Sequence, residues 1–364
     1  ARGEGKVTST PKVRDDRRVG PEGIAGRADV IDVRTPSEFA EDHVPGAVNR
    51  PVLSDEERAI VGTLHAKASA FEAKKLGAAL ISRNIAGIVD GLRDRPREFA
   101  PLVYCWRGGQ RSRSLAHVMN EIGWRAVQLE GGYRAYRRHV CAALETLPTR
   151  CSYRVICGLT GSGKSRLLAA LAREGAQTLD LEGLARHRGS LLGDLPDDPQ
   201  PSQKLFESLL LQALQRLDPA RPVFVESESK KIGRLQVPES LLAAMRGSPC
   251  VRVDLSRPMR IALLEEEYAH FLADPALLGE RLAPLVPLHG KATIERWGAL
   301  SMARDFDALV EELLVAHYDP IYTRSIERNF PRYGEAIVVA PEGIDDAAYR
   351  RVARQLIEAT EGAR

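Results

Sequence analysis

The sequence predicts an α/β protein made of two consecutive domains, each organised around a parallel sheet. Three observations lead there. The chain has 364 residues, more than one hydrophobic core usually serves. Short apolar strands alternate with helical segments, which implies βαβ units and so parallel sheet. That alternation breaks at Leu147-Pro148-Thr149-Arg150 and then restarts. Residues 1–20 read as a basic, polar lead-in, frayed or partly disordered. Residues 21–147 form the first expected domain and 148–364 the second, with a helical C-terminal part. No internal repeat is found.

In the first domain Val30-Ile31-Asp32-Val33 has the apolar density of a short buried strand, and Thr35 to Glu41 that of a capped helical turn. Val44-Pro45-Gly46-Ala47 is a turn. Residues 56–92 are weakly helical and carry no legible chemistry. Pro101 to Tyr104 is a second strand ending at Cys105, Ser112 to Ile122 a helix, and Ala126 to Leu129 a third strand before a Gly131-Gly132 turn. The second domain opens with the strand Tyr153 to Cys157. Later strands are expected at Pro222 to Glu226, Cys250 to Leu255 and Ala336 to Val339. Phe306, Leu309, Val310, Leu313, Leu314 and His317 recur at helical spacing and face a core.

Composition narrows the class. At 44% hydrophobic and 28% charged residues the chain is that of a folded protein. It has no run of about 18 apolar residues, so no membrane span is expected. The first residues lack the apolar core of about 7–15 residues that a secretory signal needs. Five cysteines (Cys105, Cys141, Cys151, Cys157, Cys250) form an odd set without CxxC spacing. That argues against a disulfide scaffold and against zinc, and it suits a reducing cytoplasm. The net charge of +3 decides nothing about nucleic acid, because local arginine clusters matter more than the sum.

The first chemical constellation is Cys105-Trp106-Arg107-Gly108-Gly109-Gln110-Arg111-Ser112, set between a strand and a helix. A loop that wraps toward a helix start aims several backbone N–H groups at one point, and the helix dipole adds positive potential there. Gly108 and Gly109 leave room for the wrap. Such a cradle favours a reactive thiolate at Cys105, and Arg111 offers a planar fork of donors to an oxyanion. Five residues separate Cys105 from Arg111.

The second constellation, Gly158-Leu159-Thr160-Gly161-Ser162-Gly163-Lys164-Ser165, fits the P-loop pattern G-x-x-x-x-G-K-[ST] without a mismatch. It follows a predicted strand and opens a predicted helix from Arg166 to Arg173. The loop amides cradle a di- or triphosphate, Lys164 neutralises oxygen charge, and Ser165 is a possible Mg²⁺ ligand. Glu226 or Glu228, at the end of a strand, and Asp180 and Glu182 are candidate acids of the same site. A solvated surface role is the alternative for each.

Several stretches resemble the rhodanese family: the Cys105 loop, Asp32-Val33-Arg34, Glu38-Phe39 and His43-Val44-Pro45-Gly46-Ala47-Val48. The resemblance implies a persulfide or perselenide on Cys105, held by the loop amides, with Asp32 and Arg34 as an ion pair bracing the loop. Sulfur-transferring members commonly have four residues between the cysteine and the closing arginine. The Cys-x5-Arg-Ser spacing here is that of cysteine phosphatases, although their usual preceding histidine is Tyr104.

Rhodanese motifs followed by a P-loop domain resemble the tRNA 2-selenouridine synthases. Further stretches that look like this family are Gly131-Gly132-Tyr133, Asp180 to Ala185, His187-Arg188-Gly189-Ser190, Glu226-Ser227-Glu228-Ser229, Lys231-Ile232-Gly233 and Tyr318-Asp319-Pro320-Ile321-Tyr322. The resemblance implies an N-terminal rhodanese-like domain followed by a P-loop NTPase-like domain. It implies a tRNA with 2-thiouridine at the wobble position as partner, selenophosphate and geranyl diphosphate as co-substrates, and no tightly bound cofactor. In the implied route the sulfur is first geranylated, and selenium then displaces the geranylthio group. The Cys105 loop, with Trp106, Arg107, Gly108, Gly109, Gln110 and Ser112, would then hold selenophosphate. The loop containing Gly158, Thr160, Gly161, Ser162, Gly163, Lys164 and Ser165 would hold the diphosphate.

Arg134, Arg137 and Arg138, at spacings that share a helical face, and Arg107, Arg111 and Arg113 suit phosphate contacts with RNA. A solvated basic face is the alternative for the first trio. Trp106 is a candidate to pack on a base or the geranyl chain, or to lid the loop. Cys157 and Cys250 read as buried packing, and Cys141 as a candidate resolving thiol. A rhodanese-type sulfurtransferase, a Cys-x5-Arg phosphatase coupled to a nucleotide-binding domain, and a nucleotide-gated binding protein are the rivals. An ATP-dependent tRNA thiolase lacks its usual Ser-Gly-Gly-x-Asp-Ser loop here.

Overall fold

The computed structural model describes residues 17–361. Most of the expected lead-in, 1–16, lies outside the described residues, as do 362–364. The chain divides into two compact units, Ala1–Cys141 and Ala142–Arg364. The division falls somewhat before the expected break at 147/148.

The first unit is a five-stranded parallel sheet: β1 (Arg18–Val19), β2 (Val30–Asp32), β3 (Val48–Asn49), β4 (Leu102–Tyr104) and β5 (Val127–Leu129), in the order β1-β5-β4-β2-β3. The end of the expected lead-in is therefore an edge strand, pairing Arg18 with Gln128. Helix α1 (Pro36–Glu41) starts with a reciprocal capping box between Thr35 and Glu38, and α2 (Asp55–Lys67) with one between Ser54 and Glu57. Helices α3 (Ala70–Asp90) and α4 (Gln110–Ile122) pack on the sheet, and α5 (Gly132–Thr146) follows β5. Ile31, Val33, Val103, Leu115, Met119 and Trp124 are among the buried side chains of its core.

The second unit carries another five-stranded sheet. Its strands are β6 (Tyr153–Cys157), β7 (Gln177–Leu179), β8 (Val223–Glu226), β11 (Cys250–Val253) and β12 (Ile337–Val339), in the order β12-β11-β6-β8-β7, all parallel. A small hairpin, β9 (Lys231–Ile232) and β10 (Leu235–Gln236), stands apart from it. Helices α6 (Lys164–Arg173), α7 (Leu181–Ala185), α8 (Gln203–Gln215) and α9 (Glu239–Arg246) accompany the sheet. The expected helical part comprises α10 (Arg257–Glu267), α11 (Ala269–Ala273), α12 (Pro275–Leu282), α13 (Val286–His289), α14 (Lys291–Met302), α15 (Phe306–Leu313) and α16 (Asp319–Asn329). The chain closes with α17 (Asp346–Glu361) against α6.

The helical part has its own core, in which Trp297, Leu309, Leu313 and Leu314 are buried. The periodic run from Phe306 to His317 is not one regular helix. A π turn over Leu314–Tyr318 interrupts it, where His317 Nδ1 lies 2.9 Å from His289 Nε2. Among the described residues no helix is long and apolar enough to cross a membrane.

Candidate active sites

In the first unit, β4 delivers Cys105 to the carboxyl edge of the sheet, and α4 begins five residues later at Gln110. β2 and β4 are neighbours whose chain connections leave in opposite directions across the sheet, the place where open α/β sheets form a crevice. Cys105 Sγ accepts from the Gly109 N–H at 3.3 Å and from the Ser112 hydroxyl at 3.2 Å. The residue is only 3% exposed, while Arg107 and Gln110 of the same loop stand in solvent.

Three supports hold the loop. Gln128 Nε2 donates to the carbonyls of Gly108 (2.9 Å) and Gly109 (3.1 Å) and to Ser112 Oγ (2.7 Å). The first amides of α5 donate from Tyr133 to the Cys105 carbonyl (2.8 Å) and from Arg134 to the Trp106 carbonyl (3.1 Å). Gly132 makes this approach possible: its φ is +59°, and a Cβ there would strike the Cys105 carbonyl and the Gly108 amide. The third support is the buried Asp32–Arg34 pair at 2.7 Å. Arg34 also donates to the Asp42 carbonyl at 2.6 Å and stacks 4.0 Å from the Tyr133 ring centre.

Arg111 turns toward Glu38, Nη1 to Oε2, at 3.0 Å. Burial alone would raise the Glu38 carboxyl, but the Arg111 charge and hydrogen bond hold it below its ordinary value. Trp106 is half-buried against Tyr133, with ring centroids 5.1 Å apart. Arg134 and Arg138 on α5 are exposed and Arg137 half-buried; Arg107 and Arg113 are exposed. Cys157 and Cys250 are buried and Cys141 is exposed.

In the second unit, β6 runs into the P-loop and α6 starts at Lys164. Gly163 has φ +77°, and a Cβ there would strike the Tyr349 hydroxyl, so α17 holds the loop from behind. Lys164 Nζ donates to the carbonyls of Gly158 (3.2 Å) and Leu159 (3.4 Å). The loop borders a cavity of about 550 Å³, lined in part by Thr160, Gly161, Gly163, Lys164, Ser165, Asp180, Glu182 and Glu228. Gly158, Ser162 and Glu226 are buried and do not line it. Asp180 caps α7, accepting from the Gly183 N–H at 2.7 Å.

Glu182, Glu226 and Glu228 converge, each offering an oxygen within 4.8 Å of the others. Ser165 Oγ donates to Glu182 at 3.2 Å. Each of the three carboxyls is pushed up to about 8, first by burial and next by a neighbouring carboxylate of the trio. Both Glu226 oxygens, with Thr160 Oγ1 and Ser162 Oγ, are buried and have no hydrogen-bond partner among the described residues. Three crowded carboxyls and a serine hydroxyl are an all-oxygen donor set that fits a hard divalent cation such as Mg²⁺.

Two residues here were not assigned to a site from the sequence. Gln128 has a sequence signal, an amide between Val127 and Leu129 in an otherwise apolar strand. Arg188 also lines the 550 Å³ cavity. It donates to the Glu267 carbonyl, and its guanidinium lies 5.0 Å from the Tyr268 ring centre. Its basic neighbours in the sequence gave no hint of that placement.

Residues 22–139 match the family described as rhodanese-like domain, and residues 151–277 match the family described as tRNA 2-selenouridine synthase AAA domain. The tRNA 2-selenouridine synthase of Nitrosomonas europaea is 35% identical over 266 residues, covering 71% of this chain and 67% of its own length. That of a Sulfurovum species is 34% identical over 343 residues, 85% of this chain and 92% of its own. The crystal structure of a rhodanese-like domain protein from Staphylococcus aureus shares 20% identity and covers 33% of this chain and 90% of its own, with a TM-score of 0.21. The two matched segments, in this order, and identity sustained across both units establish that the chain belongs to the tRNA 2-selenouridine synthase family.

Proposed function

We propose that this chain converts 2-thiouridine at the wobble position of tRNA to 2-selenouridine in two transfers, each served by one of the two units. In the first, the thiocarbonyl sulfur attacks C1 of geranyl diphosphate. The S–C bond forms, the C–O bond to the diphosphate breaks, and pyrophosphate departs. In the second, selenium from selenophosphate takes the place of the geranylthio group at C2; geranylthiol leaves, and water takes the phosphoryl group as phosphate. Alkylation makes chemical sense of the order, because a thiocarbonyl sulfur is a poor leaving group until it carries an alkyl chain.

The observation that carries this reading is the P-loop beside its cavity with Lys164 and three carboxyls. The loop amides and Lys164 bind the diphosphate and stabilise the charge that grows on it as the C–O bond breaks. Ser165, Glu182, Glu226 and Glu228 would hold Mg²⁺, whose charge would further favour pyrophosphate departure. In the other unit the Gly109 N–H and the Ser112 hydroxyl hold the Cys105 sulfur in place for the selenium step. Arg111, tied to Glu38, positions the loop. Arg134, Arg137 and Arg138 supply RNA phosphate contacts, and a reducing cytoplasm suits the free thiols.

The test is nucleoside mass spectrometry on 2-thiouridine tRNA incubated with geranyl diphosphate and Mg²⁺. Lys164→Ala is expected to lower S-geranyl-2-thiouridine formation by at least about 100-fold, the scale on which single electrostatic stabilisers act. Undiminished product would reject the role given to the P-loop.

A further inference from the structure

A second cavity, narrow and of about 60 Å³, adjoins the phosphate cavity of the second unit. Its wall is almost entirely carbon, drawn from α10, α11, α12, α15 and the π turn after α15, and including Leu264, Phe271, Leu278, Leu309, Leu313 and Tyr318. Four residues line both cavities: Thr160, Ser190, Leu264 and Tyr268. The narrow slot therefore begins at the phosphate loop itself. Leu264 packs so closely on the loop that a Cβ on Gly161 would lie 2.8 Å from its Cγ.

The junction is built rigidly. Arg260 on α10 donates to the Thr160 carbonyl at 2.8 Å and ion-pairs with Asp319 of α16, so the helical part is tied to the phosphate loop. The Ser190 and Tyr268 hydroxyls meet at 3.1 Å across the same boundary. Thr160 Oγ1 is buried there with no hydrogen-bond partner among the described residues. A buried hydroxyl lacking a partner costs stability unless a ligand atom completes it. An apolar cavity this close to water does not recruit water, and it does admit apolar ligand atoms.

A charged cradle, an uncommitted hydroxyl and a dry slot, in that order, match a ligand whose anionic head is joined through an ester oxygen to a hydrocarbon tail. We infer that the slot seats the far end of the prenyl tail of the diphosphate bound at the P-loop, with Thr160 Oγ1 at the ester oxygen. The residues that line the slot alone, Leu278 and Leu313 among them, then set the tail length. This rests on the proposed role of the P-loop as the diphosphate site and adds where the tail lies.

Calorimetric titration of the full chain with Mg²⁺ and either inorganic pyrophosphate, geranyl diphosphate or farnesyl diphosphate tests it. The wild type is expected to bind geranyl diphosphate at least about 10-fold more tightly than pyrophosphate, because burying even two methylenes is worth that much. Leu313→Phe, which fills the slot, should remove this preference and leave the pyrophosphate affinity unchanged. Leu313→Ala should extend the preference to the farnesyl compound. Val310→Phe, at a half-buried position on the same helix, repeats the filling test with less strain on the core and must give the same loss. Equal affinity for geranyl diphosphate and pyrophosphate, or a geranyl preference that survives both filling variants, would overturn the slot while sparing the P-loop reading. No pyrophosphate binding by the wild type would overturn both.

Discussion

Glu226 shows how much a single residue of this chain gives up for its position. A carboxyl sealed at the end of β8, with no hydrogen-bond partner among the described residues and two acidic neighbours, is raised to about 8. Its unfolded value is near the ordinary 4.5. Between those two pH values the folded chain holds a proton that the unfolded chain has released, so stability falls as pH rises through this window. Glu226→Gln removes the titration. In chelator at pH 8 the variant is expected to unfold about 2–4 °C higher, the shift that roughly 1 kcal/mol makes in a unit of this size. The gain should shrink as the pH is lowered to about 4, where Glu226 is mostly neutral in both states. Thermal scans at the two pH values check it, and a gain that does not depend on pH would remove the buried charge as its cause. Individual residues also mark the limits of reading a sequence. The placement of Cys105 and Lys164 was legible because it depends on immediate neighbours, a strand before and a helix after. The partners of Arg111 were not, since Glu38 lies far away in the chain and meets it only through the fold. Gln128 carried a signal, a polar residue in an apolar strand, but no spacing rule that says which carbonyls it would reach.

At the scale of elements, both units put their chemistry at the carboxyl ends of central strands, β4 and β6, because parallel sheets open their crevices there. The strands that carry the sites are apolar enough to be read directly. The two-residue strands β1 and β3 are too short to leave a periodic pattern, and β7 shows only one apolar step. The narrow apolar cavity was wholly illegible, since its walls come from helices whose inward faces look like ordinary core periodicity. The join between α5 and the Cys105 loop offers an element-level test. Gly132→Ala would place a methyl group into the Cys105 carbonyl at a positive φ, so it should cost about 1–3 kcal/mol in the first unit. It is also expected to slow selenium transfer to S-geranyl tRNA more than it slows geranylation. Wild-type melting together with a wild-type rate of selenium transfer would show that the close approach does not constrain the loop.

For the whole molecule, the proposed function divides one conversion between the two candidate sites. The Cys105 loop presents a sulfur with two donors on it, and the P-loop borders a cavity lined by Lys164, Glu182 and Glu228. If each unit performs its own transfer, supplying the intermediate from outside should bypass one site and leave the other indispensable. The most direct measurement is a single-turnover reaction of pre-geranylated 2-thiouridine tRNA with selenophosphate, read by nucleoside mass spectrometry. Lys164→Ala is expected to form 2-selenouridine at the wild-type rate, and Cys105→Ala to leave the geranylated nucleoside unconverted. Selenouridine formed at the wild-type rate by Cys105→Ala, or its loss in Lys164→Ala, would contradict the division of labour between the two sites.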